Sequence, residues 1–301
     1  MVAPGARPGH DIGIHSIWCR RSGFDEPPPA TNLGWRQQPI IAKGHDPSRR
    51  ATTYDQTADD QRVRVAPTPV VLALDSAGLA CSAVVATGET VLGAERVQTV
   101  HGQAERLLPM VDTVMRKARL PSSALDIVGT SIGPGSFTGV RVGLAAAHGI
   151  ALATRARLIG VTGFEAVAAS VARSAQDGGS GFLLVALESR REDLYVQLFD
   201  HIHGPLRDPA AVMPAALEEV LYGFIGSAPL LVAGDAAHRA ANALSRRLGT
   251  KVAEGSAPDA TGVLQAVLRC WRTDEQGAKP LPLYLRPPDV TFSNARQRGK
   301  R

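Results

Sequence analysis

Cysteine is scarce in this sequence of 301 residues: Cys19, Cys81 and Cys270 are the only three. They are widely spaced and form no CxxC pair, which excludes a disulfide framework and suits a reducing compartment. Aromatic residues are also sparse, at 5 %, while alanine and glycine are plentiful. No apolar run approaches the roughly 20 residues that a membrane span requires. The N-terminus lacks the compact apolar core of a signal peptide. Together these point to a cytoplasmic protein with no membrane partner. The formal net charge of +5 is mild and dispersed, apart from Arg296, Arg298, Lys300 and Arg301 at the end. Such a tail reads as a solvated terminus rather than a nucleic-acid arm.

Several catalytic patterns are incomplete. Gly133 is followed by Gly139, but then by Val140 and Arg141, so the lysine of a Walker A loop is missing. Pro134 stands two positions before Ser136, where a nucleophile elbow needs glycine. His101 and Glu105 are spaced to share a helix face, yet no second histidine is near enough to complete a zinc helix. No catalytic, cofactor-binding or metal-binding residue is therefore assigned.

What is present falls into four parts. Residues 1–66 are rich in Pro, Gly, Arg, Asp and Gln, keep no period of 2 or 3.6, and are expected to be a disordered extension. Residues 67–176 and 177–290 form two successive halves, strand-rich and then helical, divided at Asp177-Gly178-Gly179-Ser180-Gly181. Residues 291–301 are the basic tail. This plan predicts a two-lobed, pseudo-duplicated α/β fold. Val70 to Asp75 reads as a buried central strand ending in a carboxylate, followed by strands at Cys81–Ala86 and Thr90–Val97 in an antiparallel meander. Leu107, Val111, Val114, Met115 and Ala118 form one apolar helical stripe, with Pro109 expected to kink it.

The stretch Gly133-Pro134-Gly135-Ser136-Phe137-Thr138-Gly139-Val140-Arg141-Val142-Gly143 sits between a strand, Ile127 to Ile132, and a long helix. Backbone N–H groups and the helix dipole at such a junction suit an anion. A tight turn with Ser136 and Thr138 capping the helix is the structural alternative. Gly139, Gly143 and Ala147 then share one helix face so bare that something must pack very close, either the chain's own sheet or another subunit. Asp75 could hold a magnesium ion or a phosphate-bound water, but Ser76 to Ala80 is poorly equipped to grip phosphate. Arg190-Arg191 reads as a solvated hairpin tip, an RNA phosphate contact or a partner contact.

Leu74-Asp75-Ser76, His101 to Pro109 and above all Gly133 to Gly143 resemble the TsaB family of the bacterial tRNA threonylcarbamoyladenosine machinery. The resemblance runs from about Pro69 to Arg286. It implies an actin-like (ASKHA) fold and a non-catalytic scaffold that heterodimerises with TsaD and acts with TsaE, reaching tRNA through the complex. ATP, magnesium and the metal then belong to the partner subunits. It also implies that helices around 104–119 and 136–154 form the contact, with Leu107, Val111, Val114, Met115, Gly139, Gly143 and Ala147 as interface residues. Whether the free protein homodimerises through the same face is left open by the sequence. The family often has Asp-Thr-Ser at Asp75-Ser76-Ala77 and Asp-Ala-Arg-Arg at Glu188 to Arg191. A stand-alone ATPase or kinase of the actin-like fold, using Asp75, is the alternative.

Overall fold

The computed structural model describes residues 68–99, 102–174, 181–200, 204–245, 249–273 and 280–286. The expected disorder of residues 1–66, the basic tail 291–301, His101 and most of the joint at 177–181 lie outside the described residues.

Val70–Asp75 (β1), Ala80–Thr87 (β2) and Thr90–Gln98 (β3) form the expected antiparallel meander. Helix α1 (Gln103–Ala118) follows and runs unbroken through Pro109. Then come β4 (Ile127–Ser131), α2 (Phe137–Thr154), β5 (Arg157–Val161) and α3 (Gly163–Ser174). Both β4 and β5 join in parallel, giving the strand order β3-β2-β1-β4-β5.

The second half repeats the plan. Phe182–Glu188 (β6), Leu194–Asp200 (β7) and Ala210–Val212 (β8) make another meander. Leu217–Ile225 (α4), Leu230–Ala233 (β9), Ala237–Ala243 (α5), Thr250–Val252 (β10) and Ala260–Thr273 (α6) complete it. The order β8-β7-β6-β9-β10 is that of the first sheet strand for strand. The duplicated plan anticipated from the alternation of strands and helices is thus present in the topology.

Alternation along each strand distributes the core into layers. In β1, Leu72 and Leu74 point to one face, with Leu107 and Val114 of α1 and Ala147 of α2. Val71 and Ala73 point to the other, with Val263 and Val267 of α6. In the second sheet, Leu183, Val185 and Leu187 meet Phe164, Val167 and Val171 of α3. Leu184 and Ala186 meet α4 and α5 on the opposite face. The two halves therefore exchange helices. The last helix, α6, covers the first sheet, while α3 covers the second, and α3 and α6 pack against each other between them.

Helix α2 is long and apolar enough, by length and composition alone, to cross a membrane. Its inner flank is packed on β4, β1 and α1 of the same chain, and only 28 % of it is buried. Its other side faces outward.

Candidate functional site: the glycine loop and the outer face of its helix

The glycine loop lies at the carboxyl ends of β1 and β4, where backbone hydrogen bonds pin it from three sides. Ile132 N–H donates to the Val161 carbonyl and Gly163 N–H to the Gly133 carbonyl, each at 2.8 Å. Gly133 adopts φ 101, a conformation that side chains resist. Ser136 caps α2 by accepting from the Gly139 amide at 3.3 Å. Thr138 makes no such contact and is exposed.

The β1–β2 turn is stitched onto this loop. Ser136 N–H donates to the Ala77 carbonyl at 2.7 Å, and Ser76 Oγ donates to the Gly139 carbonyl at 2.8 Å. A Cβ on Gly139 would sit 2.1 Å from the Ser76 carbonyl oxygen. One on Gly143 would sit 2.8 Å from Ser76 Oγ. The bare face of α2 thus receives the chain's own β1–β2 turn.

This corrects part of the interface expected from the sequence. Leu107, Val114 and Ala147 are 0 % exposed, and Met115 is 7 % exposed. Gly139 and Gly143 are buried, and Val111 is half-buried. These seven residues hold α1 and α2 to the first sheet, because the same apolar periodicity that marks a contact face also marks a core face. The surface these helices leave outward consists of other residues. On α2 it includes Thr138, Arg141, Ala145, Gly149 and Leu152, the last 85 % exposed, and a Cβ on Gly149 would meet nothing within 4 Å. On α1 it includes Leu108, 54 % exposed, and Pro109. Thr138, Ala145, Gly149 and Leu152 recur at helical spacing, so they form one outward stripe.

Asp75 ends β1 beneath the loop and is 1 % exposed. Its Oδ1 accepts from the Ala77 amide at 3.3 Å, and Oδ2 has no hydrogen-bond partner among the described residues. Burial pushes its pKa up to about 6, against the opposing pull of the Ala77 amide and the Ser131 hydroxyl. Since the folded value exceeds the unfolded one, the native state holds the proton more tightly, and stability is lost as pH rises from about 4 through about 6. Asp75→Asn is therefore expected to be more stable than wild type by about 2–3 kcal/mol at pH 8 and no more stable at pH 3.5. Urea unfolding at both pH values checks this.

A cleft of about 220 Å³ opens between the two sheets, lined by Ala77, Gly78, Ser136, Glu188, Arg190 and Asp235 among others. Asp235 is also pushed up, first by burial and then by the Glu188 carboxylate, with the Glu188 amide opposing. Asp75 is not on the wall of this cleft. Among the described residues no cluster of His, Cys, Asp and Glu could hold a metal ion. Arg190 and Arg191 are exposed at the β6–β7 turn, whose backbone is held by Arg239 through the Arg191 and Glu192 carbonyls.

One feature escaped the sequence reading. Residues 280–286 run beside α2, and Tyr284 stacks on Phe137 of the loop with ring centroids 5.6 Å apart. The apolar and aromatic residues just past the last helix were its only signal.

Residues 97–250, about half of the chain, match the family model described as TsaD: tRNA N6-adenosine threonylcarbamoyltransferase. An uncharacterized protein from Mycobacterium tuberculosis is 34% identical over 227 residues, covering 73% of this chain and 93% of that protein. The tRNA threonylcarbamoyladenosine biosynthesis protein TsaB of Escherichia coli is 31% identical over 125 residues, or 42% of this chain and 52% of that protein. Among solved structures, YeaZ from Pseudomonas aeruginosa aligns with a TM-score of 0.59 at 24% identity, covering 72% of this chain and all of that one. That likeness concerns the fold. Since the matching family model spans half of the chain, the chain belongs to the family described as TsaD: tRNA N6-adenosine threonylcarbamoyltransferase, and within it is similar to TsaB.

Proposed function

We propose that this chain is a non-catalytic scaffold subunit in tRNA N6-threonylcarbamoyladenosine modification, docking TsaD through the outward face of α2 and α1 and acting with TsaE in the cytoplasm. Family membership supports the role in this modification. The observation that carries the scaffold reading is the helix itself: an apolar helix of 18 residues with only 28 % buried, leaving Ala145, Gly149 and Leu152 outward. Small residues at helical spacing let a second helix approach closely, and an apolar face left in water gains by being covered.

The stitching of Ser76 and Ala77 onto the glycine loop supports a structural rather than a phosphate-gripping turn. The burial of Asp75 supports the same choice over a stand-alone ATPase. ATP and metals are then handled by the partner subunits, and tRNA is met by the assembly.

The test is a reconstituted modification assay with TsaD and TsaE, run with and without this chain. Modification is expected to depend on the chain, and Asp75→Asn is expected to keep full activity. Loss of activity with Asp75→Asn at undiminished stability and unchanged TsaD binding would favour the enzyme.

A further inference from the structure

Residues 280–286 touch both lobes. On the first, the His148 Nε2 lies 3.3 Å from the Pro280 carbonyl, and Leu283 N–H donates to the Ile132 carbonyl at 2.8 Å. Leu283 packs with Ala77, Ile132, Val140 and Leu144. Arg141 lays its guanidinium over the Phe137 ring at 3.6 Å and donates from Nε to the Tyr284 hydroxyl at 3.0 Å. On the second, Leu285 joins the core that includes Leu187 and Phe199, and Arg286 pairs with Asp193. Between this strap, the glycine loop and the β6–β7 turn lies a second cavity of about 150 Å³.

We propose that residues 280–286 form a latch that holds the second lobe to the N-terminal turn of α2 and walls this second cavity. Asp193 makes the latch two-state. Its side chain is 2 % exposed, so loss of Arg286 would leave a buried carboxyl group without its paired cation. If Arg286 leaves, Asp193 must gain water, and the turn carrying it must move. Ser189 Oγ, which donates to Asp193 Oδ1 at 2.8 Å and accepts from the Arg191 amide at 3.1 Å, transmits that movement through the whole β6–β7 turn. On the first lobe, the latch lets go at Tyr284 and Leu283, whose partners are Arg141, Phe137 and Ile132. With the latch open, the lobes remain joined by the α3–α6 contact, which permits shear.

Two variants of the full chain test this by hydrogen exchange and by the distance between spin labels at Arg116→Cys and Tyr222→Cys, in a background without the native cysteines. Arg286→Ala is expected to raise exchange about tenfold or more in both 188–193 and 132–136, to broaden the interlobe distance distribution, and to leave β1, β4 and β6 protected. Tyr284→Phe keeps the ring stack but removes the acceptor for Arg141, so a smaller rise confined to 132–141 is expected. If Arg286→Ala does not fold, the pair Asp193→Asn with Arg286→Met removes both charges and is expected to fold with an open latch. Exchange that rises only within 280–286, with an unchanged distance distribution, would overturn the proposal.

Discussion

Gly139→Ala is expected to destabilise the protein by about 3 kcal/mol, while Gly149→Ala, ten residues further along the same helix, is expected to stabilise it by about 1 kcal/mol. The first Cβ would sit 2.1 Å from a backbone carbonyl, that of Ser76, which cannot rotate away as a flexible side chain could. The β1–β2 turn would have to lift, breaking the Ser76 Oγ to Gly139 hydrogen bond and the Ser136 N–H to Ala77 contact. The second Cβ would enter open space and contribute only the better helix propensity of alanine. For a domain of this size these correspond to a melting temperature lower by roughly 6–12 °C in one case and higher by roughly 2–4 °C in the other. Calorimetry on the two variants measures both. Equal effects would mean that the glycine loop and the β1–β2 turn are not in contact.

Leu152→Arg is expected to weaken TsaD binding by about 100-fold, or roughly 2.7 kcal/mol, with little change in stability. The free side chain is almost wholly in water, so the substitution costs the isolated fold nothing by burial. In a helix-on-helix contact the guanidinium would be desolvated without a partner charge. Gly143→Leu, which the repeating small residues of α2 suggest as an interface probe, is expected instead to damage the fold, because its side chain would meet Ser76.

That contrast marks how much was legible in the sequence. The strand-rich and helical halves gave the duplicated plan because short apolar stretches such as Val70 to Asp75, bounded by turn residues, read as buried central strands. The cap at Ser136 and the meander of β1 to β3 follow equally local rules. The direction in which each helix face points is not local. Leu107 and Val114 keep the spacing of a contact stripe, and only the placement of β1 and β2 shows that the contact is internal. The outward stripe of α2 carries threonine, alanine, glycine and a single leucine, which no period separates from its inner stripe of glycine, alanine and aliphatic residues. Short elements such as β8 and β10, of three residues each, lack the length to establish a period. The latch is a matter of long-range partners: Tyr284 finds Phe137 and Arg141, and Arg286 finds Asp193, nearly a hundred positions or more apart in sequence.

The central claim is that α2 presents its outward face, not its glycine face, to TsaD. Its most direct test is a calorimetric titration of TsaD into the wild-type chain and into Leu152→Arg, with melting temperatures recorded for both. A loss of about two orders of magnitude in affinity at an unchanged melting temperature is the predicted result. Wild-type affinity for Leu152→Arg, and for Gly149→Arg tested in the same way, would contradict it.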